Sequence, residues 1–321
     1  MKKIEISVIV LTYFPKWTEL KKTLLSIIHQ EGINYEILIA DDGSDNYCIE
    51  EITDFFKEYN YDNYEVVHQE KNVGTCKNCL AAIKVAKGEY VRLISPGDYI
   101  STSNNLRDWY EFMQSNNADA SFGNAIYYNM QDGKYNIITK KGTAPIVTNI
   151  YDAKKYKSQW VGIFNLVLYD SILGAAFLTK RDLMQRYCEE VVEANIIYTE
   201  DKMYKFMIMD EMKILHYPLD VVIYEYGEGI STSSNEASIL RMAKDEESFN
   251  KRVLQRNSTF SMGKNYKKYI LSKTNGKGKI RKFILFPRLL LAQIYIKIKT
   301  SSSKSNNLVD QKFLNKIEEN E

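Results

Sequence analysis

Carboxylates stand next to three apolar segments of this chain, at positions where they could bind a ligand or move a proton. Asp41 and Asp42 follow one apolar run, Asp98 follows another, and Glu200 and Asp201 precede a third. Carboxylates accept hydrogen bonds, hold hard cations, or take a proton over about 2.6 to 3.2 Å. The spacing of these acids predicts a ligand site built from distant segments.

Short continuous apolar runs predict buried parallel strands with helices between them. Residues 6–11 and 37–40 are such runs, and the segment between them has apolar residues at helical spacing, namely Leu20, Leu24, Ile27 and Ile28. This strand-helix-strand unit places two strand ends side by side, where open α/β sheets bind ligands. Tyr13 at the first end can stack on a base whose edge Asp41 meets, although Asp-Asp-Gly-Ser by itself is more often a plain turn.

Five short motifs occur in order within the first 100 residues. They are Thr12-Tyr13, Asp41-Asp42-Gly43-Ser44, Asn72-Val73-Gly74, Gly88-Glu89-Tyr90 and Ser95-Pro96-Gly97-Asp98. The ordered set resembles the family 2 glycosyltransferases, whose nucleotide-sugar domain has the GT-A fold. Residues 174–180, Glu200-Asp201 and residues 224–234 resemble the acceptor-side strand, the catalytic pair and the closing loop of that family. The resemblance implies an α/β fold with a Rossmann-like, mostly parallel central sheet flanked by helices.

The resemblance also implies roles for the matching residues. The nucleotide pocket would be lined by Thr12, Tyr13, Asp41, Asp42, Lys77 and Asn78. Asp41 is expected nearer to the base, usually uracil, whereas Lys77 is equally well explained as an exposed helical lysine. Asp201 would be the base of an inverting displacement, with Glu200 as the fallback. The same acids also fit the first turn of an amphipathic helix.

The acidic turn departs from the family pattern Asp-x-Asp-Asp, because only its last acid, Asp98, is present. One carboxylate with waters and phosphates can suffice for Mg²⁺ or Mn²⁺, so Asp98 is the expected metal ligand. Ser95, Gly97 and Ser231 are expected on the donor-phosphate side. Asp98 also fits a turn or helix cap. The missing acids leave two alternatives open: a metal-independent enzyme, or a non-catalytic scaffold protein that binds nucleotide-sugars.

The acceptor side has weaker signals. Gly174 and Ala175 lie in the acceptor-side strand, and Trp160 could stack on a sugar, although a core position is the commoner use of such a residue. The glycine-rich basic loop of a nucleotidyltransferase is missing after the first apolar run. Cys76 and Cys79 have the spacing of a redox or zinc motif, but a zinc site would need a second pair, and the other two cysteines and the three histidines are scattered. The sequence therefore predicts neither a disulfide framework nor a zinc site.

Charge divides the chain into an acidic body and a basic segment. Residues 248–309 contain 15 Lys or Arg and no Asp or Glu, which leaves 28 basic and 41 acidic residues elsewhere. Residues 283–296 are strongly apolar but include Pro287 and Arg288, and they fall short of the roughly 20 apolar residues of a membrane span. The pattern predicts a helical amphipathic segment on an anionic membrane surface. A helix buried against the body is the alternative, and no nucleic-acid-binding motif accompanies the charge.

These patterns together predict a GT-A domain over residues 1–235 and a helical extension over residues 236–321. Within the extension, about residues 264–300 would contact the membrane and residues 301–321 would be flexible. The first residues do not resemble a signal peptide, so we expect a cytoplasmic protein on the inner face of the plasma membrane. By family resemblance it would transfer a sugar from a UDP donor to a polyprenyl-diphosphate-linked glycan, in synthesis of a capsule, an exopolysaccharide or a related cell-surface polysaccharide.

Overall fold

The computed structural model describes residues 3–131, 134–138, 144–227, 236–299 and 309–318. Its strands are β1 (Ile6–Thr12), β2 (Tyr35–Asp41), β3 (Tyr64–His68), β4 (Tyr90–Ile94), β5 (Tyr99–Ile100), β6 (Ala120–Gln131), β7 (Lys134–Ile137), β8 (Phe177–Lys180) and β9 (Ile214–Glu225). Its α-helices are α1 (Trp17–Ile28), α2 (Ile49–Glu58), α3 (Thr75–Val85), α4 (Asn105–Ser115), α5 (Ser158–Gly162), α6 (Arg181–Glu193), α7 (Lys202–Met209), α8 (Glu236–Gln255), α9 (Ser261–Thr274), α10 (Gly278–Leu285), α11 (Leu289–Lys299) and α12 (Gln311–Glu318).

One mixed sheet forms the centre of the molecule, with strand order β3-β2-β1-β4-β8-β6-β9-β5 and β7 paired to β6. β3, β2, β1 and β4 are parallel, β8 runs antiparallel to β4, and β6 runs antiparallel to β8. The predicted α/β class is confirmed. β2 is buried along its whole length because helices cover both faces of the parallel half.

Alternate residues of each central strand face two hydrophobic clusters. On β1, Ile9 faces the cluster formed with α3, α6 and α7, whereas Val8 and Val10 face the cluster formed with α1, α2 and α4. The predicted helical stripe is also present, since Leu20 and Leu24 of α1 are fully buried. The two layers of helices hold the strand ends in place.

Helices beyond residue 235 share the first of these clusters. Phe249 of α8, Tyr266 of α9, and Phe286 and Leu289 near the start of α11 are all buried in it. The helical extension therefore packs directly on the body. The division of the chain at residue 235 stays a prediction, and that position lies at the edge of residues 228–235, outside the described ranges.

Part of the tail that the sequence predicted to be flexible forms the helix α12, and its flexibility stays a prediction. Phe313, Leu314 and Ile317 lie on one face of this short helix and are buried in the second cluster, beside α1. Apolar residues at this spacing form a helical stripe that gains from burial.

Helices α10 and α11 present a second apolar face to solvent. Their exposed residues include Ile280, Ile284, Leu290, Leu291, Ile294 and Ile298. Lysines and arginines interrupt both helices, and the described residues include no helix of the length and hydropathy required to cross a bilayer. One face of this segment packs on the body and the other is exposed, and contact of the exposed face with a membrane stays a prediction.

Candidate active site

The carboxyl ends of β1, β2 and β3 meet at one edge of the sheet. Thr12 of β1 pairs with Asp41 of β2, and Asp41 pairs with His68 of β3. Because the three strands are parallel, their terminal side chains converge, as the sequence predicted for Thr12 and Asp41. His68 is a member of this edge that the sequence did not predict.

Asp41 is fully buried and both of its carboxylate oxygens are engaged. Oδ1 accepts from the hydroxyls of Ser44 at 2.7 Å and Thr12 at 3.1 Å. Oδ2 accepts from the Ser44 amide at 2.8 Å and lies 2.9 Å from Nδ1 of His68. These contacts fill the roughly four acceptor positions of a carboxylate. Asp41 therefore holds together a polar wall formed by Thr12, Ser44 and His68. Asp41 can accept a hydrogen bond from a base only if one of these partners moves away.

Exposed aromatic rings surround this wall. Tyr13 and Phe14 follow β1 with about half of each side chain exposed, and the Phe14 amide donates to the Ser44 hydroxyl at 2.7 Å. On the other side, the rings of Tyr47 and His68 stack at 5.7 Å, and the Tyr47 hydroxyl lies 3.0 Å from Oγ1 of Thr12. Flat rings at the edge of a buried polar wall suit the stacking of a nucleobase.

Asp42 joins the strand end to the loop before α3. Its carboxylate accepts from the Val73 amide at 2.7 Å and the Gly74 amide at 3.1 Å, and burial raises the pKa of Asp42. Gly43 has a φ of 75°, and a Cβ there would overlap the backbone of Lys71. The turn and the loop are thus in direct contact, which only glycine permits.

The two predicted residues of α3 differ in exposure. Lys77 is exposed, as the simpler interpretation of this lysine expected. Asn78 is buried, and its amide donates to the carbonyl of Ala40 at 2.7 Å, which joins α3 to the end of β2. Its Oδ1 has no hydrogen-bond partner among the described residues. A contact of either residue with a ribose or phosphate stays a prediction.

The turn after β4 holds Asp98 in a buried position. Oδ1 of Asp98 accepts from the Glu225 amide at 3.1 Å. Burial raises the pKa of Asp98 to about 8, the Glu225 charge adds to this effect, and the buried Arg92 opposes it. Ser95 is exposed at the start of this turn, whereas the third predicted phosphate contact, Ser231, lies outside the described residues.

Glu225 is an acid at this turn that sequence reasoning missed. Gly97 has a φ of 93°, and a Cβ there would overlap Oε2 of Glu225. The two carboxylates, Asp98 and Glu225, offer hard oxygen donors of the kind that suit Mg²⁺ or Mn²⁺ completed by waters and phosphates. Across the described residues, no cluster of three or more His, Cys, Asp or Glu side chains could hold a metal ion without such help.

The acidic pair lies at the start of α7. Glu200 and Asp201 line a small cleft together with Leu93, Gly174 and Tyr204, among others. A Cβ built on Gly174 would lie 3.7 Å from both Oε1 of Glu200 and Cβ of Asp201. The structure therefore brings the predicted acceptor-side strand to the predicted catalytic pair.

Neighbouring groups set the chemistry of this pair. Burial, together with the charge of Asp201, raises the pKa of Glu200 above its ordinary value. The Tyr204 hydroxyl donates to the carbonyl of Ile172 at 3.0 Å and lies 3.3 Å from Oδ2 of Asp201. Burial therefore disfavours the ionised form of Glu200.

Asp245 of α8 fixes the segment before the pair. Its carboxylate accepts from the amides of Ile197 at 2.9 Å, Tyr198 at 2.8 Å and Thr199 at 2.9 Å, and from the Thr199 hydroxyl at 3.1 Å. Sequence reasoning missed Asp245, which looks like any other acid of a helix. Its hydrogen bonds show that α8 positions Glu200 and its neighbour.

The other predicted acceptor residues divide between two places. Ala175 lies in the same 3₁₀ turn as Gly174, Gly174–Ala176, directly before β8. Trp160 lies on α5, where its ring stacks on Phe164 at 6.0 Å and Arg288 sits over it at 5.9 Å. These contacts are of the core type that the sequence also allowed, and they do not include Gly174 or the acidic pair.

Parallel strands whose polar ends meet at one edge, continued by antiparallel strands and accompanied by an acidic pair at the start of α7, define the GT-A class of α/β folds. Residues 7–171 match the family model described as glycosyl transferase family 2. The chain belongs to that family.

Two curated relatives match part of the chain. Over 109 residues it is 32% identical to glycosyltransferase GlyG of Streptococcus pneumoniae, which covers 34% of this chain and 35% of the relative. Over 93 residues it is 34% identical to a poly(ribitol-phosphate) beta-glucosyltransferase of Bacillus spizizenii, which covers 28% of this chain and 14% of the relative. The chain thus matches well under two thirds of either relative's length.

Solved structures of S. aureus TarS share the fold. The complex of TarS residues 1–349 with UDP has a TM-score of 0.51 at 17% identity, covering 87% of this chain and 74% of that one. The complex of the same TarS fragment with UDP-GlcNAc has a TM-score of 0.52 at 18% identity. The match covers 92% of this chain and 82% of the TarS chain. The predicted GT-A fold is confirmed.

Proposed function

We propose that this protein is an inverting glycosyltransferase that moves a sugar from a UDP donor to a hydroxyl of a cell-surface glycan. The observation that carries the proposal is the position of β4 between the two acidic sites. Leu93 of β4 lines the cleft of Glu200 and Asp201, and Asp98 follows the same strand after one turn. A donor held at Asp98 would therefore present its sugar toward the acidic pair.

In the proposed reaction, Asp201 takes the proton of the acceptor hydroxyl. The hydroxyl oxygen attacks the anomeric carbon from the face opposite the diphosphate, which inverts the configuration. Glu200, which burial favours in its protonated form, would donate a hydrogen bond within the cleft. The Tyr204 hydroxyl, 3.3 Å from Oδ2 of Asp201, helps to orient that carboxylate.

The donor would bind along the edge formed by β1, β2 and β4. Its base would stack on Tyr13 and meet the wall around Asp41, and its phosphates would reach Ser95 and Gly97. Asp98 and Glu225 would hold Mg²⁺ or Mn²⁺, which would supply positive charge for the departing diphosphate. The TarS complexes with UDP and UDP-GlcNAc support a UDP-sugar as the donor.

The acceptor side of the proposal is a glycan or polymer carried at the membrane. A relative named for poly(ribitol-phosphate) supports an acceptor among bacterial cell-surface polymers. The exposed apolar face of α10 and α11, with basic residues alongside, supports peripheral attachment to an anionic bilayer. The enzyme would then act at the inner face of the plasma membrane on a polyprenyl-diphosphate-linked acceptor.

Titration calorimetry with UDP, with and without Mn²⁺, tests the donor site. Wild type should bind UDP, Mn²⁺ should strengthen the binding, and Asp98→Ala should lose that increment. Asp201→Asn should keep donor binding and lose turnover. A wild type that binds a UDP-sugar but neither hydrolyses nor transfers it would support a scaffold protein instead.

Sedimentation with vesicles tests the membrane surface. The pair Leu291→Glu and Ile294→Glu should abolish binding to anionic vesicles. A matched pair on α8, Ile239→Glu and Leu240→Glu, changes residues of similar exposure and should leave the binding intact. Equal binding by both double variants would remove α11 from the proposed surface.

A further inference from the structure

Two buried lysines directly follow the acidic pair. Lys202 and Lys205 of α7 expose only 8% and 7% of their surface. Lysines are almost never this buried unless a partner neutralises them. Lys202 has such a partner, because its ammonium forms an ion pair with Glu246 of α8. Lys205 has no ion pair within the described part of the chain.

The surroundings of Lys205 compensate its positive charge only in part. Its ammonium lies 6.0 Å from the ring centre of Tyr169 and 5.7 Å from that of Phe249. Burial and the nearby Lys202 lower the pKa of Lys205 to about 8, against the opposing charges of Asp201 and Glu246. From α9, Lys273 adds a further ammonium, which donates to the Tyr169 hydroxyl at 3.3 Å.

Among the described residues, the carboxylates near this cluster have other partners or roles and do not form an ion pair with Lys205. Glu246 is bound to Lys202, and Asp201 lies in the cleft as the proposed base. Rings alone give only partial compensation, since a cation over an aromatic face gains about 0.5 to 2 kcal/mol. A group that carries its own negative charge would complete the site. The half-exposed Tyr169 marks the side from which that group would enter.

The position of Lys205 connects the cluster to the reaction. Lys205 follows Asp201 by four residues on α7, and side chains at this spacing lie on one face of a helix about 5 to 6 Å apart. The donor phosphates are proposed at Asp98, at the turn after β4. An anion at Lys205 would lie instead between the acidic pair and the C-terminal helices, so it would belong to the acceptor.

We propose that Lys205, with Lys202 and Lys273, forms a phosphate-recognition subsite for the acceptor. The acceptor of the proposed transferase therefore carries a phosphate close to the hydroxyl that reacts. The inference rests on the proposed function. A lipid-linked phosphate and a phosphodiester of a polymer both carry the negatively charged phosphate that this subsite would bind.

Calorimetry on the full chain tests the subsite without any turnover. The probes are sn-glycerol 3-phosphate, a polyprenyl phosphate in neutral detergent micelles, and glycerol as the uncharged control. Lys205→Met, a substitution of similar size, should weaken binding of the phosphate probes about tenfold, because one charge-assisted hydrogen bond is lost. Lys273→Met should weaken it as well, whereas the exposed Lys244→Met should not. Glycerol should not bind.

The outcomes separate this inference from the proposed function. Unchanged phosphate binding in folded Lys205→Met and Lys273→Met would overturn the subsite, even if UDP binding is intact. A wild-type protein that does not bind UDP would overturn the proposed function. The phosphate titration would still test the subsite in that case. Tighter binding of one phosphate probe would identify the lipid or the polymer source. In transfer assays, Lys205→Met should raise the acceptor KM and leave UDP affinity unchanged.

Discussion

Truncation of Asp245 to alanine tests whether α8 positions the catalytic pair. The carboxylate accepts four hydrogen bonds from residues 197–199 in a buried setting. At about 1 kcal/mol net for each bond, Asp245→Ala should lower the free energy of unfolding by about 4 kcal/mol. Water that enters the vacated space would reduce this loss.

The catalytic effect of the same change should exceed its effect on donor binding. The segment released by Asp245→Ala leads directly into Glu200 and Asp201, and a displacement of about 1 Å at a reacting group can reduce the rate about a hundredfold. UDP affinity should stay unchanged, because the proposed donor site lies at the ends of β1, β2 and β4, outside the segment that Asp245 holds. Denaturant unfolding, UDP titration and the kcat of transfer measure the three quantities.

Glu247→Ala is the matched control for this prediction. Glu247 is an exposed acid on the same helix, so its loss should change neither stability nor turnover by much. Asp245→Ala with wild-type kcat, at a temperature where it is folded, would refute the positioning role. A parallel loss of UDP affinity would point to general unfolding instead.

Three further changes test the donor side. Gly43→Ala should lower the free energy of unfolding by about 3 kcal/mol or more, because a Cβ there would overlap the backbone of Lys71. Gly276→Ala is the control: a Cβ at Gly276 would meet open space, so the change should cost only about 1 kcal/mol for the positive φ. Asp98 has a pKa raised to about 8, so without metal it stabilises the fold at low pH, and this contribution is lost as pH rises from about 4 to 8. Asp98→Asn should remove that dependence in unfolding titrations with a chelator present. Glu225→Gln should reduce the increment that Mn²⁺ gives to UDP binding, as Asp98→Ala does.

Each of these predictions has a result that contradicts it. Equal losses in Gly43→Ala and Gly276→Ala would mean that the contact with residue 71 is relaxed. Parallel pH profiles for wild type and Asp98→Asn would mean that Asp98 ionises normally. If Mn²⁺ strengthens UDP binding by Glu225→Gln as much as it does in wild type, Glu225 is not a ligand of the metal.

The parallel half of the sheet was predictable because its strands are short apolar runs between polar ends. β1 and β2 carry the predicted runs 6–11 and 37–40, and the two strands end at Thr12 and Asp41. Their convergence follows from parallel pairing alone. His68 ends β3 in the same way, but its place beside Asp41 depends on strand order, which single-sequence patterns do not contain.

Asp245 was not predictable for a different reason. Along α8 it is one of several acids with ordinary helical spacing, and no local pattern distinguishes it from Glu247. Its role arises from the packing of α8 against a loop more than 40 residues earlier in the chain. The same holds for Lys205, whose ammonium lies near the rings of Phe249 and Tyr169, both of them distant in sequence.

Glu225 supplies an acid beside the turn at residues 95–98, which has fewer acids than the family pattern. Aligned on its last acid, the family pattern places an aspartate where this chain has Gly97. A Cβ at that position would overlap Oε2 of Glu225, and the φ of 93° further disfavours any residue with a Cβ. Glu225, from the end of β9, therefore places a carboxylate beside one of the two positions where the turn lacks an acid of the family pattern. The proposed donor site thus has two carboxylates, although the turn itself supplies only one.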